Sequence, residues 1–368
     1  MAAPLQLSVL GGGQLGRMLG LAAIPLGVSC RFLDPSPTAG AAVAGPLVVG
    51  SLDDRDALAE VARGSDAVTY EWEGVPAASG EFLIGLGHRV DPGVRSLATS
   101  QDRADEKELF ESLGIATAPW RRVDSRTDLD AAVAELGFPA ILKTRRGGYD
   151  GKGQMRIATS SDLDPAWAAL GDASLVCEGV VSFRRELSVL AVRGRDGATA
   201  VWPLVENTHH DGILHVSLAP APGLTDALQH DAETLAGAVL DALEHVGVIC
   251  IELFDTDHGL VANEFAPRVH NSGHWTIEGA DTSQFENHVR AVLGLPLGST
   301  AARGHSAMVN AIGSLPDLAA VLACPSAHFH DYDKPPRAGR KVGHVTVTAN
   351  TPDERDALLA VLQRAVAT

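Results

Sequence analysis

Short apolar runs alternate with helical patterns through the first hundred positions. Residues 5–10 form one run, Gly11-Gly12-Gly13 breaks it, and residues 14–26 carry apolar side chains at helical spacing. Further apolar runs stand at 28–33, 47–49 and 67–70, with a helical pattern over 55–62. Continuous apolar runs separated by helices predict strands buried on both faces, the βαβ rhythm of an α/β domain. That domain is expected to end near residue 98. Beyond residue 100 the pattern predicts a charged helix over 102–113, a helix over 128–136 and strands at 139–143, 175–178 and 187–192. A long helix over 226–246, a strand over 342–348 and a last helix over 352–367 follow. With no repeat and no low-complexity linker, the domains are expected to pack against one another.

Length and charge narrow the classes. At 368 residues the chain is long enough for two or three domains. Lys+Arg 29 against Asp+Glu 46 gives −17, which argues against nucleic-acid binding and requires any anionic substrate to meet a local cationic cluster. Cys30, Cys177, Cys250 and Cys324 lie far apart in apolar surroundings and read as reduced thiols of a cytoplasmic protein. Residues 1–5 lack the cationic start of a signal peptide, and no window approaches about 18 apolar residues, so neither a leader nor a membrane span is expected.

The densest chemical signal is residues 143–154, where Lys143 stands at a strand end before a loop with four glycines between Gly147 and Gly153 and a second cation at Lys152. Glycines permit close backbone approach to oxyanions, and the lysines supply point charges, an arrangement suited to closing over a triphosphate. The spacing excludes a P-loop; a solvated hairpin tip is the bland alternative. Gly11-Gly12-Gly13-Gln14-Leu15-Gly16 fits G-x-G-x-x-G, with Asp34 about 20 residues on, and so admits a dinucleotide. Physically it requires only an anion at a helix N-terminus.

Glu252 and Glu264, beside Asn263, flank the turn at residues 255–259, and a bulge-free hairpin with an odd loop sets both acids on one face. Between Glu244 and Arg268 there is no cation to neutralise them, so Mg²⁺ shared with nucleotide phosphates competes with a solvated acidic face. Residues 266–275 follow, a loop crowded with donors that suits an anion or a reacting centre, or else a capping loop. Arg337, Arg340 and Lys341 form a late cationic cluster, either a phosphate site or a solvated face.

Together these segments resemble the ATP-grasp superfamily. Within it, residues 11–18, 69–73, 148–154, 270–274 and 339–344 are similar to the 5-(carboxyamino)imidazole ribonucleotide synthetases of purine biosynthesis, over nearly the whole chain. The resemblance implies an ATP-grasp architecture, α/β at first and α+β later. Its parts are a Rossmann-like pre-ATP-grasp domain (1–100), a small subdomain with a glycine-rich lid (101–181), a large subdomain (182–300) and a C-terminal domain packing on the core (301–368). It implies ATP, Mg²⁺, bicarbonate and 5-aminoimidazole ribonucleotide, and a cytoplasmic homodimer. ATP is expected to meet Arg103, Lys143, the lid residues Gly148, Tyr149, Asp150, Gly151, Lys152, Gly153 and Gln154, then Glu178, Gly179, Val180 and Val181 at adenine. Glu186 is assigned to the ribose, His209 to the nucleotide, Asn263 and Glu264 beside the phosphates, and Glu252 with Glu264 to the metal.

Arg268, His270, Asn271, His274 and Asp150 are implied at the reacting centre, and Gln14, Leu15, Glu73, Lys334, Arg337, Arg340 and Lys341 at the ribonucleotide. Val269, Trp275 and Ala338 depart from the family pattern, where proline, tyrosine and proline are usual; the first two bear on the rigidity of the donor loop, and Ala338 weakens the expectation for Lys334 and Arg337. The alternative is another ATP-grasp ligase such as formate-dependent glycinamide ribonucleotide transformylase; a nucleotide sensor without activity and an NAD-dependent oxidoreductase are the more distant ones.

Overall fold

In the computed structural model, which describes residues 4–148 and 152–366, three sheets organise the chain. The first is parallel, in the order Leu47–Val49, Ser29–Asp34, Gln6–Leu10, Ala67–Tyr70. Strand alternation sends Leu7 and Val9 toward Leu15 and Leu19 of helix Gln14–Ala23, and Leu10 toward Leu58 and Val61 of helix Arg55–Ala62. Each buried leucine contributes about 1.5–3 kcal/mol relative to exposure. Strand order reverses between Gln6–Leu10 and Ala67–Tyr70, so a crevice opens at their carboxyl ends, the ordinary ligand position of such sheets.

The second sheet is antiparallel, in the order Trp120–Val123, Leu175–Gly179, Ala140–Thr144, Gln154–Ile157. Ala140, Leu142, Leu175 and Cys177 pack on helices Arg126–Leu136 and Leu163–Leu170. The alternate positions, Lys143 and Glu178 among them, therefore share the opposite face.

The third sheet has nine strands and joins the large subdomain to the C-terminal segment. Its order is Gly259–Ala266, Gly247–Thr256, Arg185–Arg193, Val205–His210, Ile213–Ala219, His305–Ile312, Lys341–Ala349, Ala327–Asp331, with Thr199–Val201 beside Arg185–Arg193. Strand Ile213–Ala219 pairs directly with His305–Ile312, so the boundary expected at residue 300 is crossed by backbone hydrogen bonds. Helix Asp226–Ala242 covers Leu187, Val189, Ile249 and Ile251, while Leu190, Val192, Val248 and Cys250 face helix Gln284–Leu293. The long helix is shorter than its apolar spacing suggests: Leu243 is its C-cap, and Glu244 takes φ 48.

Candidate active site

Lys143 and Glu178 meet because Ile141 pairs with Glu178 and Lys143 lies two residues further along the same face. Lys143 Nζ donates to Glu178 Oε2 at 2.9 Å, and Lys107 Nζ lies 3.4 Å from Glu178 Oε1. Burial alone would raise the Glu178 pKa, but the two lysines outweigh it and hold the carboxyl below the usual range. The Glu178 side chain is thus committed to cations. In the backbone that follows, Gly179 and Val180 N–H groups donate to Pro119 and Pro139 carbonyls, while the Val181 N–H has no acceptor among the described residues. Lys107 escaped the sequence reading, although a lysine three residues before buried Phe110 on a helix face was a signal.

The acidic pair forms by a different route from the expected one. The turn Asp257-His258 has two residues, so an unbroken ladder would set Glu252 opposite Asn263 and send Glu264 to the other face. A bulge at Asn263 inserts one residue, and Glu252 pairs with Glu264 directly. Neighbouring strands add Glu186, opposite Phe254, and His209, whose Nδ1 is 2.6 Å from Glu186 Oε2. Arg103 Nη1 donates to Glu264 Oε2 at 2.7 Å. Burial favours the protonated form of both acids, but Arg103 holds Glu264 low, whereas Glu252, facing the Glu264 charge, is pushed up to about 7. The proton of the pair therefore sits on Glu252. Oxygen donors carrying excess negative charge suit Mg²⁺.

Past Glu264 the chain turns into the donor-rich loop. Buried Gln284 clasps it: Oε1 accepts the His270 N–H at 2.9 Å and Nε2 donates to the His270 carbonyl at 2.7 Å. Gly273 must lack a side chain, since a Cβ there would stand 2.2 Å from Leu190 Cδ2. His270 Nδ1 accepts from Ser272 N–H, leaving the ring hydrogen on Nε2, 3.4 Å from Glu252 Oε1. Burial, then Arg268 and Lys341, keep this imidazole neutral, well below its ordinary pKa. Asn271 exchanges two hydrogen bonds with Asn310, at 3.0 and 2.6 Å.

His274 does not reach the cleft. The residue is 1% exposed, its ring packed on Phe285, Tyr332 and His344 beneath the loop.

The crevice at the first sheet is a cleft of about 560 Å³ lined by Gln14, Leu15, Trp72, Arg268, Lys334 and Arg340, among others. Glu73 joins it through a salt bridge to Arg268 Nε. Two expected members lie elsewhere. Arg337 is exposed outside the cleft, its N–H on the Gly313 carbonyl. Lys341 follows Arg340 but acts on Glu252, His209 and His270, on the side of the acidic pair. Of the glycine loop, Gly153 accepts from Thr144 N–H and Gln154 pairs with Lys143, while Arg145 forks onto Asp102 at 2.7 and 2.8 Å. Tyr149, Asp150 and Gly151 lie outside the described residues.

Three family models divide the chain: ribonucleotide synthetase preATP-grasp domain (5–101), ATP-grasp domain (108–285) and phosphoribosylaminoimidazole carboxylase C-terminal domain (306–357). The N5-carboxyaminoimidazole ribonucleotide synthase of Pseudomonas aeruginosa is 51% identical, covering 93% of this chain and 94% of its own. The chain belongs to the N5-carboxyaminoimidazole ribonucleotide synthase family. Its Brucella melitensis member is 46% identical over 92% of this chain and 95% of its own. The crystal structure of the Thermus thermophilus synthetase superposes with a TM-score of 0.94 at 52% identity, covering 98% of this chain and 99% of that one. The Aspergillus clavatus enzyme, in complex with ADP and 5-aminoimidazole ribonucleotide, gives 0.92 at 33% identity and 99% of both chains. Membership carries the activity of an ATP-dependent ligase on the ATP-grasp fold that carboxylates 5-aminoimidazole ribonucleotide in purine biosynthesis, and the formate-dependent alternative falls away.

Proposed function

We propose that the carboxyl donor is bicarbonate, activated by ATP as carboxyphosphate, and that the residues above divide the work between two adjoining compartments. The observation that carries this reading is the stretch from Arg268 to His270: Arg268 lines the ribonucleotide cleft, and two residues on, His270 Nε2 faces Glu252. A carboxyl group made on one side thus has a short path to an amine on the other, which favours capture before water intervenes.

ATP is assigned to Lys143, Arg103 and the glycine loop at its phosphates, the Val181 N–H at adenine, and Glu186 with His209 at the ribose. Mg²⁺ is assigned to Glu252 and Glu264 with Asn263 adjacent; when bound, it neutralises charge on the transferring phosphoryl group. Neutral His270 offers its Nε2–H, and Arg268 its guanidinium, to the anionic oxygens of bicarbonate and its phosphorylated form. Gln14, Leu15, Glu73, Lys334 and Arg340 take the ribonucleotide, and Lys341 serves the phosphoryl side. The implied homodimer is part of the proposal. So is a cytoplasmic location, supported by four buried thiols without disulfides; no described helix is long and apolar enough to cross a membrane.

ADP release from ATP and Mg²⁺ tests this. It is expected to require 5-aminoimidazole ribonucleotide and bicarbonate together; release unaffected by removing bicarbonate contradicts the donor.

A further inference from the structure

The helix N-terminus at the ribonucleotide cleft already holds an anion, and it belongs to the chain itself. Glu71 Oε1 accepts the Gly13 N–H at 2.6 Å and Oε2 the Gly16 N–H at 2.5 Å, while Asp34 Oδ2 accepts the Gly12 N–H at 2.9 Å. The Gly12 and Gly13 N–H groups belong to the part of a G-x-G-x-x-G turn that approaches a pyrophosphate at the helix N-terminus. Gly11 and Gly13 are shaped to the carboxylate instead, and Gly16 to the turn's own backbone. A Cβ at Gly11, where φ is +103, would stand 2.4 Å from Glu71 Cγ; at Gly13, 2.7 Å from Oε1; at Gly16, 2.9 Å from the Gly11 carbonyl.

Glu71 is buried at the end of strand Ala67–Tyr70, next to the strand that feeds the turn, so sheet pairing delivers it to this seat. At the start of helix Gln14–Ala23, the N–H groups of Gln14 and Leu15 are left without an acceptor among the described residues, and both residues line the cleft.

We propose that Glu71 is a specificity-determining residue, a built-in anion that closes the glycine turn to diphosphates and leaves the Gln14 and Leu15 amides as donors for a single phosphate group. The inference rests on the ribonucleotide occupying this cleft. A pyrophosphate entering the turn would displace two short hydrogen bonds and bring its charges against a fixed carboxylate. A monophosphate at Gln14 and Leu15 meets the positive helix end, with Lys334 and Arg340 lining the same cleft.

Glu71→Ala and Glu71→Gln test this, with inorganic pyrophosphate as probe, ATP saturating and Mg²⁺ in excess. In Glu71→Ala, pyrophosphate is expected to compete with the ribonucleotide about tenfold or more better than in the parent enzyme, and the ribonucleotide KM to rise about tenfold, with the ATP KM unchanged. Glu71→Gln keeps the shape but can accept only one of the two N–H bonds, so it moves both readouts the same way by less and serves if the alanine variant does not fold. Unchanged pyrophosphate competition in both variants overturns the proposal. So does a parallel rise of both KM values without new competition, which marks a merely structural residue. If the parent enzyme shows no ribonucleotide-dependent ADP release, the reading of the cleft fails instead. Calorimetric binding of pyrophosphate with ADP and Mg²⁺ saturating then decides Glu71 alone, a gain in the variant supporting the built-in anion and no gain refuting it.

Discussion

Glu264→Gln is expected to lower kcat by about two orders of magnitude or more, because a metal ion at transferring phosphate contributes several kcal/mol and this substitution removes half of its carboxylate pair. The fold should persist: Glu264 is half-buried, Arg103 retains an amide oxygen as acceptor, and the bulge at Asn263 is a backbone feature. A pH signature accompanies the loss. Glu252 titrates at about 7, raised by burial and by the Glu264 charge, so Mg²⁺ binding below pH 7 must displace a proton. Apparent Mg²⁺ affinity of the parent enzyme therefore rises with pH and levels off above about 7. Removing the Glu264 charge lets the Glu252 pKa fall, and the rise moves to lower pH. Near-normal turnover, or an Mg²⁺ profile that does not move, contradicts the metal assignment.

Glu178→Leu is expected to be the most destabilising change in the nucleotide site. It leaves Lys143 and Lys107, 8% and 1% exposed, as buried ammonium groups without their counter-ion, at a cost of about 3–5 kcal/mol. In the parent enzyme the Glu178 carboxyl lies below its ordinary 4.5, so its contribution is present above that pH and is lost as pH falls through the lower folded value. In the variant the sign is the same but the pH window moves up toward the lysine range. Buried lysines that fold more readily when neutral make stability increase with rising pH. Thermal unfolding across pH, with the ATP KM at neutral pH, measures both effects; an unchanged Tm and ATP KM would show that the lysines are held by something else.

Much of the site was legible because its residues sit in local patterns. Lys143 before the glycine loop, Glu252 and Glu264 around a turn, and the 266–275 donors all fall within short windows. The pairing of the two acids was anticipated for the wrong reason, since a one-residue bulge leaves no mark in a hydrophobic alternation. Long-range antiparallel pairing was equally invisible, so nothing in the sequence marks the join of Ile213–Ala219 to His305–Ile312 across residue 300. The burial of His274 against Phe285 and His344 left no sign, because a histidine in a polar loop looks the same whether exposed or packed beneath it. Gln284 reads as an ordinary first-turn residue after the Ser283 cap, with nothing to announce its grip on His270. Asn310 did leave a trace, as a lone amide in the apolar run 307–312, and its partner Asn271 lies 39 positions away.

The central claim is that phosphate leaves ATP by way of bicarbonate, beside Arg268 and His270. Turnover with ¹⁸O-labelled bicarbonate measures this directly. Attack by a bicarbonate oxygen on the γ-phosphorus, followed by C–O cleavage, leaves that oxygen on phosphate, so one labelled atom per inorganic phosphate is expected with the remaining label in the new carboxyl group. Unlabelled phosphate, formed at the same rate as the carboxylated ribonucleotide, would contradict it.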